Sequence, residues 1–155
     1  MKKTRLSSAL LLLAALLLLS ACSLGGKLFP KPKALMEEIK KMVLLPELSE
    51  MPESYLEQNT GISAADCEEF VFAVPKSDTS ATTIVIIAAK SAEAADQMET
   101  KLKSYRSLME QSAQLYLTGN LSAIQNGVVR RDGQTVSLLV SENLPDILAV
   151  YDAYK

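Results

Sequence analysis

The stretch Thr82-Thr83-Ile84-Val85-Ile86-Ile87-Ala88-Ala89 decides the fold. Its β-branched residues favour an extended backbone, and successive strand side chains point to opposite sides. Ile84, Ile86 and Ala88 therefore share one face and Val85, Ile87 and Ala89 the other. Both faces are apolar. A strand with one wet face would alternate, so this one is predicted to be central and covered on both sides. Just upstream, Phe70 to Val74 reads as a second strand, and the turn-rich Pro75-Lys76-Ser77-Asp78-Thr79-Ser80 between them predicts a hairpin.

Downstream, Ser91 is placed to cap a helix in which Ala95, Met98, Leu102, Tyr105, Met109, Ser112 and Tyr116 recur at steps of three and four. Glu99 and Lys103 are expected to pair on its solvent side. Gly119-Asn120 ends that helix or its ragged continuation. A second hairpin is predicted from strands at 128–131 and 134–140, joined by Asp132-Gly133 as a two-residue turn. Pro145 opens a terminal helix carrying Ile147, Leu148, Val150, Ala153 and Tyr154.

Upstream, residues 34–45 set Leu35, Met36, Ile39, Met42 and Val43 at helical spacing until Pro46 stops the pattern. Residues 47–69 are acidic, with short apolar anchors, Asn59-Thr60-Gly61 as a turn and Ser63 as an N-cap; irregular structure with one or two short helices is expected there. The resulting expectation is an α+β domain of order α-ββ-α-ββ-α. In its simplest form, a four-stranded antiparallel sheet made of two hairpins carries the long helix on one face.

The beginning of the chain has a different character. Lys2, Lys3 and Arg5 precede an uninterrupted run of 11 Ala and Leu from Ala9 to Leu19. A spanning helix needs about 20 apolar residues, so this shorter run reads as the apolar part of a secretory signal. Leu19-Ser20-Ala21-Cys22 follows, and it resembles the lipobox of bacterial lipoproteins. The resemblance implies cleavage between Ala21 and Cys22 and thioether lipidation of the Cys22 thiol by a diacylglyceryl group carrying chains such as palmitate. An ordinary secretory signal followed by a chance cysteine is the alternative. The implied organisation is a signal peptide at 1–21, a lipidated tether at 22–33 and one α+β domain at 34–155. The tether is punctuated by Gly25, Gly26, Pro30 and Pro32, and Lys27, Lys31 and Lys33 make it either a plain soluble linker or a contact for anionic headgroups.

Composition narrows the chemistry. The chain of 155 residues has no His, which removes His-based triads, imidazole metal sites and the commonest general base near neutral pH. Without the three basic residues of the leader, the 16 Lys and Arg fall to 13 against 18 Asp and Glu, a net charge of −5. No basic block stands out, so nucleic acid is not expected as a partner. Cys67 is the one thiol left once Cys22 is acylated. It reads as a buried small hydrophobe or, alternatively, as a reactive thiol or an intermolecular bridge, of which its neighbours Asp66, Glu68 and Glu69 oppose the former. The same acidic trio lacks the spacing of a calcium loop. The sequence contains no Ser-x-x-Lys, Gly-x-Ser-x-Gly or Gly-rich phosphate loop. Arg130 and Arg131 are expected to point to opposite faces and to guard a sheet edge. No catalytic, cofactor or metal residue is assigned.

The runs Glu69-Phe70-Val71-Phe72-Ala73-Val74-Pro75 and Ser80-Ala81-Thr82-Thr83-Ile84-Val85-Ile86 are similar to those of a family of small Gram-positive lipoproteins built on a domain of unknown function. So is the Asp132-Gly133 hairpin leading to Ser137-Leu138-Leu139-Val140, and the similarity runs over roughly residues 34–154. It implies a lipoprotein with an α+β fold and no particular activity. The functional expectation is a lipid-anchored module on the extracytoplasmic face of the cell membrane, non-catalytic, engaging an envelope protein or another envelope component. The alternatives are a His-free cell-wall or peptide hydrolase using Asp, Glu or Ser, and a small-ligand-binding lipoprotein, for which the usual two-lobed cleft is not expected at this chain length.

Overall fold

The computed structural model describes residues 29–116 and 118–154. In chain order these form helix α1 (Pro32–Met42), strand β1 (Leu48–Glu50), helix α2 (Glu53–Thr60), strands β2 (Cys67–Pro75) and β3 (Thr83–Ala89), the long helix α3 (Ala92–Tyr116), the short helix α4 (Leu121–Asn126), strands β4 (Val128–Asp132) and β5 (Thr135–Val140), and helix α5 (Leu144–Asp152). Two 3₁₀ turns, Ala64–Asp66 and Thr118–Asn120, precede β2 and α4. The signal peptide expected at 1–21 and the first part of the tether lie outside the described residues.

The five strands form one antiparallel sheet in the order β1-β2-β3-β5-β4, so β3 is the middle strand. The expected count of four strands is one short, and the expected order α-ββ-α-ββ-α becomes α-β-α-ββ-α-α-ββ-α because β1, α2 and α4 are added. Strand β1, only three residues long, runs against the end of β2 and pairs Leu48 with Pro75 and Glu50 with Ala73. Too brief to show a period of its own, it is held by its partner, and Met51 N–H donates to the Phe72 carbonyl just beyond it.

Helices cover both faces rather than one. On one side Phe72, Val85, Ile87, Val136 and Leu138 pack with Ala95, Met98 and Leu102 of α3, Leu56 of α2 and Ile124 of α4. On the other, Val71, Ala73, Ile84, Ile86 and Leu139 pack with Leu35, Met36 and Ile39 of α1 and Ile147, Val150 and Tyr151 of α5. The two-sided apolar pattern of β3 is the direct cause, because each face must lose its water to a different helical layer. A bulge between Cys67 and Glu69 shifts the alternation of β2. It brings Cys67 to the same side as Phe72, opposite Ala89.

Local details follow from capping chemistry. Ser91 Oγ accepts from Ala94 N–H at 3.0 Å and starts α3 as expected, and Lys103 Nζ meets Glu99 Oε1 at 2.6 Å. Ser63 caps the turn before β2, and Gly61, with φ of 70°, terminates α2. The tight turn of the second hairpin is displaced by one residue from its expected place. Asp132 pairs with Thr135, leaving Gly133-Gln134 as the two-residue loop, with Gly133 at φ 62° in the first position. Helix α1 begins two residues before the expected 34, and Met42, expected on its apolar stripe, is 73% exposed. Glu69 on β2 caps this helix from outside, its Oε1 accepting from Lys33 N–H at 2.9 Å. The end of the expected tether is already packed, since the Phe29 ring lies 4.9 Å from that of Tyr151 and 6.4 Å from that of Tyr154.

Candidate functional site

The residues that the sequence singles out for chemistry are dispersed. Ala21 and Cys22 lie outside the described residues. Cys67 is buried, its thiol donating to the Ser63 carbonyl at 3.5 Å. Burial, reinforced by Asp66, pushes that thiol up to about 11, the signature of a structural rather than reactive cysteine. The acidic trio around it does not converge: Glu69 caps α1 and Glu68 is exposed to solvent. Among the described residues no group of three or more Cys, Asp or Glu could hold a metal ion.

Arg130 and Arg131 do diverge to opposite faces of β4. Arg130 pairs with Asp152 and lies 5.9 Å from the centre of the Tyr151 ring, whereas Arg131 pairs with Asp96 and donates to the Ala92 carbonyl at 3.2 Å. Each arginine thus ties the edge strand to one helical layer, α5 or α3. This occupies both guanidinium groups and adds a clasp to the edge-guarding role expected of them. Under the α5 layer, Ser137 Oγ and Tyr151 Oη lie 3.2 Å apart in the core. This pair satisfies two buried hydroxyls where a lone one would be costly.

One concave feature among the described residues lies on the α3 side, at the end of the sheet where the first hairpin turns. A cleft of about 570 Å³ opens there, within the range of small-molecule sites. Several elements build it. The C-terminal half of α3 supplies Tyr105, Leu108, Met109 and Ser112; the β2–β3 loop supplies Ser77, Asp78 and Ser80; and the end of α2 supplies Gln58 and Asn59. Ile124 of α4 closes the inner end, and Asn120 stands beside it. The floor is apolar, the rim carries neutral hydroxyls and amides, and Asp78 is the only charged side chain in the lining among the described residues.

The site is rigidly framed. Tyr105 and Tyr55 both pack edge-on against the Phe72 ring, with centroids at 5.8 and 5.1 Å, which fixes the aromatic corner of the cleft. Burial, with Tyr55 as neighbour, raises the Tyr105 phenol well above its ordinary value, so it stays neutral. Arg106 Nη1 donates to the carbonyls of Gln125 at 3.1 Å and Gly127 at 3.2 Å and fastens α4 to α3 behind Ile124. Hydroxyls order the loop: Ser77 and Thr79 are 2.8 Å apart, Ser80 and Thr82 3.0 Å, and Thr82 continues to the buried Ser141 at 3.4 Å.

Residues 42–141 match a family model described as a domain of unknown function, DUF4358. The chain belongs to the DUF4358 family. No curated protein and no solved structure matches it. The matched stretch of the DUF4358 chain is narrower than the 34–154 over which the resemblance was read. It contains all five strands, α3 and every residue lining the cleft, whereas α5 and most of α1 fall outside it. No helix among the described residues of this DUF4358 protein is long and apolar enough to cross a membrane.

Proposed function

We propose that this DUF4358 chain is an extracytoplasmic lipoprotein held to the cell membrane through Cys22, and that it works as a non-catalytic binding module whose binding element is the cleft beside α3. The anchor is supported by the sequence of the first 22 residues, where charge, apolar run, small residues and cysteine fall in register. One acyl chain gives only marginal attachment, so durable anchoring calls for two or more on Cys22. From Cys22 to the packed Phe29 there are seven residue steps, which reach at most about 25 Å, so an anchored domain rides close to the bilayer.

The observation that carries the binding reading is the lining of the cleft: apolar surface beside hydrogen-bonding groups that are neutral apart from Asp78, framed by packed aromatics. A two-carboxylate hydrolase needs a facing pair, and this lining offers Asp78 alone. A Ser–Lys mechanism needs the two in contact, and among the described residues no lysine lines the cleft. The test is photo-crosslinking in intact cells with p-benzoylphenylalanine at Ser112, in the cleft, or at Ala149, on the opposite helical layer. A light-dependent adduct at 112 and none at 149 is expected. An adduct at 149 alone, or at neither position, contradicts the reading.

A further inference from the structure

We infer that the cleft selects a small ligand with an apolar body and an ammonium group, and discriminates against carboxylates and phosphates. The inference rests on the proposed binding role of the cleft and adds the chemistry of what enters it. The first observation is the absence of any positive charge in the lining among the described residues. An anion entering there would lose water without gaining a charged partner, which is costly in a partly enclosed site. The nearby basic side chains that are not in the lining have partners of their own. Lys76 Nζ pairs with Glu47 at 3.4 Å, Lys101 Nζ donates to the Gly61 carbonyl at 2.7 Å, and Arg106 is held by the carbonyls that end α4.

The second observation is the group that does stand there. Asp78, on the β2–β3 loop, is exposed at the rim, where it attracts a cation and repels an anion at long range. The third is the floor. Leu108, 57% exposed on α3, and Met109 present apolar surface in the same lining as Tyr105, which suits the body of an amphiphile. Ser80, Ser112, Gln58 and Asn59 add neutral donors and acceptors that set orientation without setting charge.

The test titrates the purified full-length protein with three probes sharing one naphthyl body and lacking extra methyl groups: 2-naphthylmethylammonium, 2-naphthylmethanol and 2-naphthylacetate, followed by saturation-transfer NMR against protein-free blanks. The ammonium probe is expected to bind about five- to twentyfold tighter than the acetate at low salt, with the alcohol between them and the gap narrowing as salt is added. Asp78→Asn should shrink the gap by weakening the ammonium probe and strengthening the acetate. Ser112→Trp, at an exposed position of α3, should abolish binding of all three. Circular dichroism melting checks that both variants stay folded. If the acetate binds as well as or better than the ammonium, with Ser112→Trp still blocking both, the ligand class is wrong and the cleft stands as a site. If no probe shows binding that Ser112→Trp removes, the cleft itself is not a binding site.

Discussion

Ile86 and Ile87 are neighbours on β3, both fully buried, and they enter different cores: Ile86 packs under α1 and α5, Ile87 under α3. Truncating either to Ala removes three carbons. At about 0.8 kcal/mol per buried methylene, this loses about 2.4 kcal/mol of transfer free energy before any cavity is counted. With the cavity, each variant should cost about 3–4 kcal/mol, within the range of buried aliphatic truncations. For a domain of this size each would lower Tm by roughly 10–20 °C. The assay is urea unfolding followed by far-ultraviolet circular dichroism, with the midpoint falling and the slope unchanged. The two costs should agree within about a factor of two, since both sites are equally enclosed. If either variant lost less than about 1 kcal/mol, that face would be wet and the two-layer account would fail.

Other consequences can be checked separately. Gly127→Ala places a Cβ 2.6 Å from Val140 Cγ2 and 3.0 Å from the Ile124 carbonyl, and the carbonyl is fixed by the helix end, so a loss of about 1–3 kcal/mol is expected in the same unfolding assay. Cys67, with its thiol raised from 9.0 to about 11, should react with iodoacetamide at pH 8 about a hundredfold more slowly than a solvent-exposed thiol. Its folded value lies above its unfolded one, so its contribution to stability is complete below pH 9.0 and is lost as pH rises through about 11. Cys67→Ala should therefore flatten part of the alkaline loss of stability, as read from Tm against pH.

The parts of the fold that were legible in the sequence are those in which one residue pattern answers one physical demand. The apolar faces of β3 required cover on both sides, and Ser91 and the periodic stripe after it defined α3. Even there the pattern had limits. Toward its C-terminal end α3 buries Ala113 rather than the expected Ser112, and α5 buries Tyr151, which the stripe of Ile147, Val150 and Tyr154 left out. The second helical layer was implied by β3 but was missing from the assembled architecture, because α1 and α5 are remote in sequence and meet only in three dimensions. Strand β1 escaped notice since Leu48-Ser49-Glu50 has no β-branched residue and owes its conformation to β2. The cleft was not legible at all. Its lining is drawn from positions between Gln58 and Ile124, and its serines, two asparagines and loop aspartate are residue types that turn chemistry already explains.

The central claim, that this DUF4358 domain works from a lipid foot, is tested most directly by the intact mass of the protein isolated from its native membranes. A chain beginning at Cys22, heavier than its peptide mass by a diacylglyceryl group on sulfur and lost from the membrane fraction in Cys22→Ser, is the predicted result. A soluble chain that begins at Met1, or one cleaved within the leader and carrying no acyl mass, would contradict it.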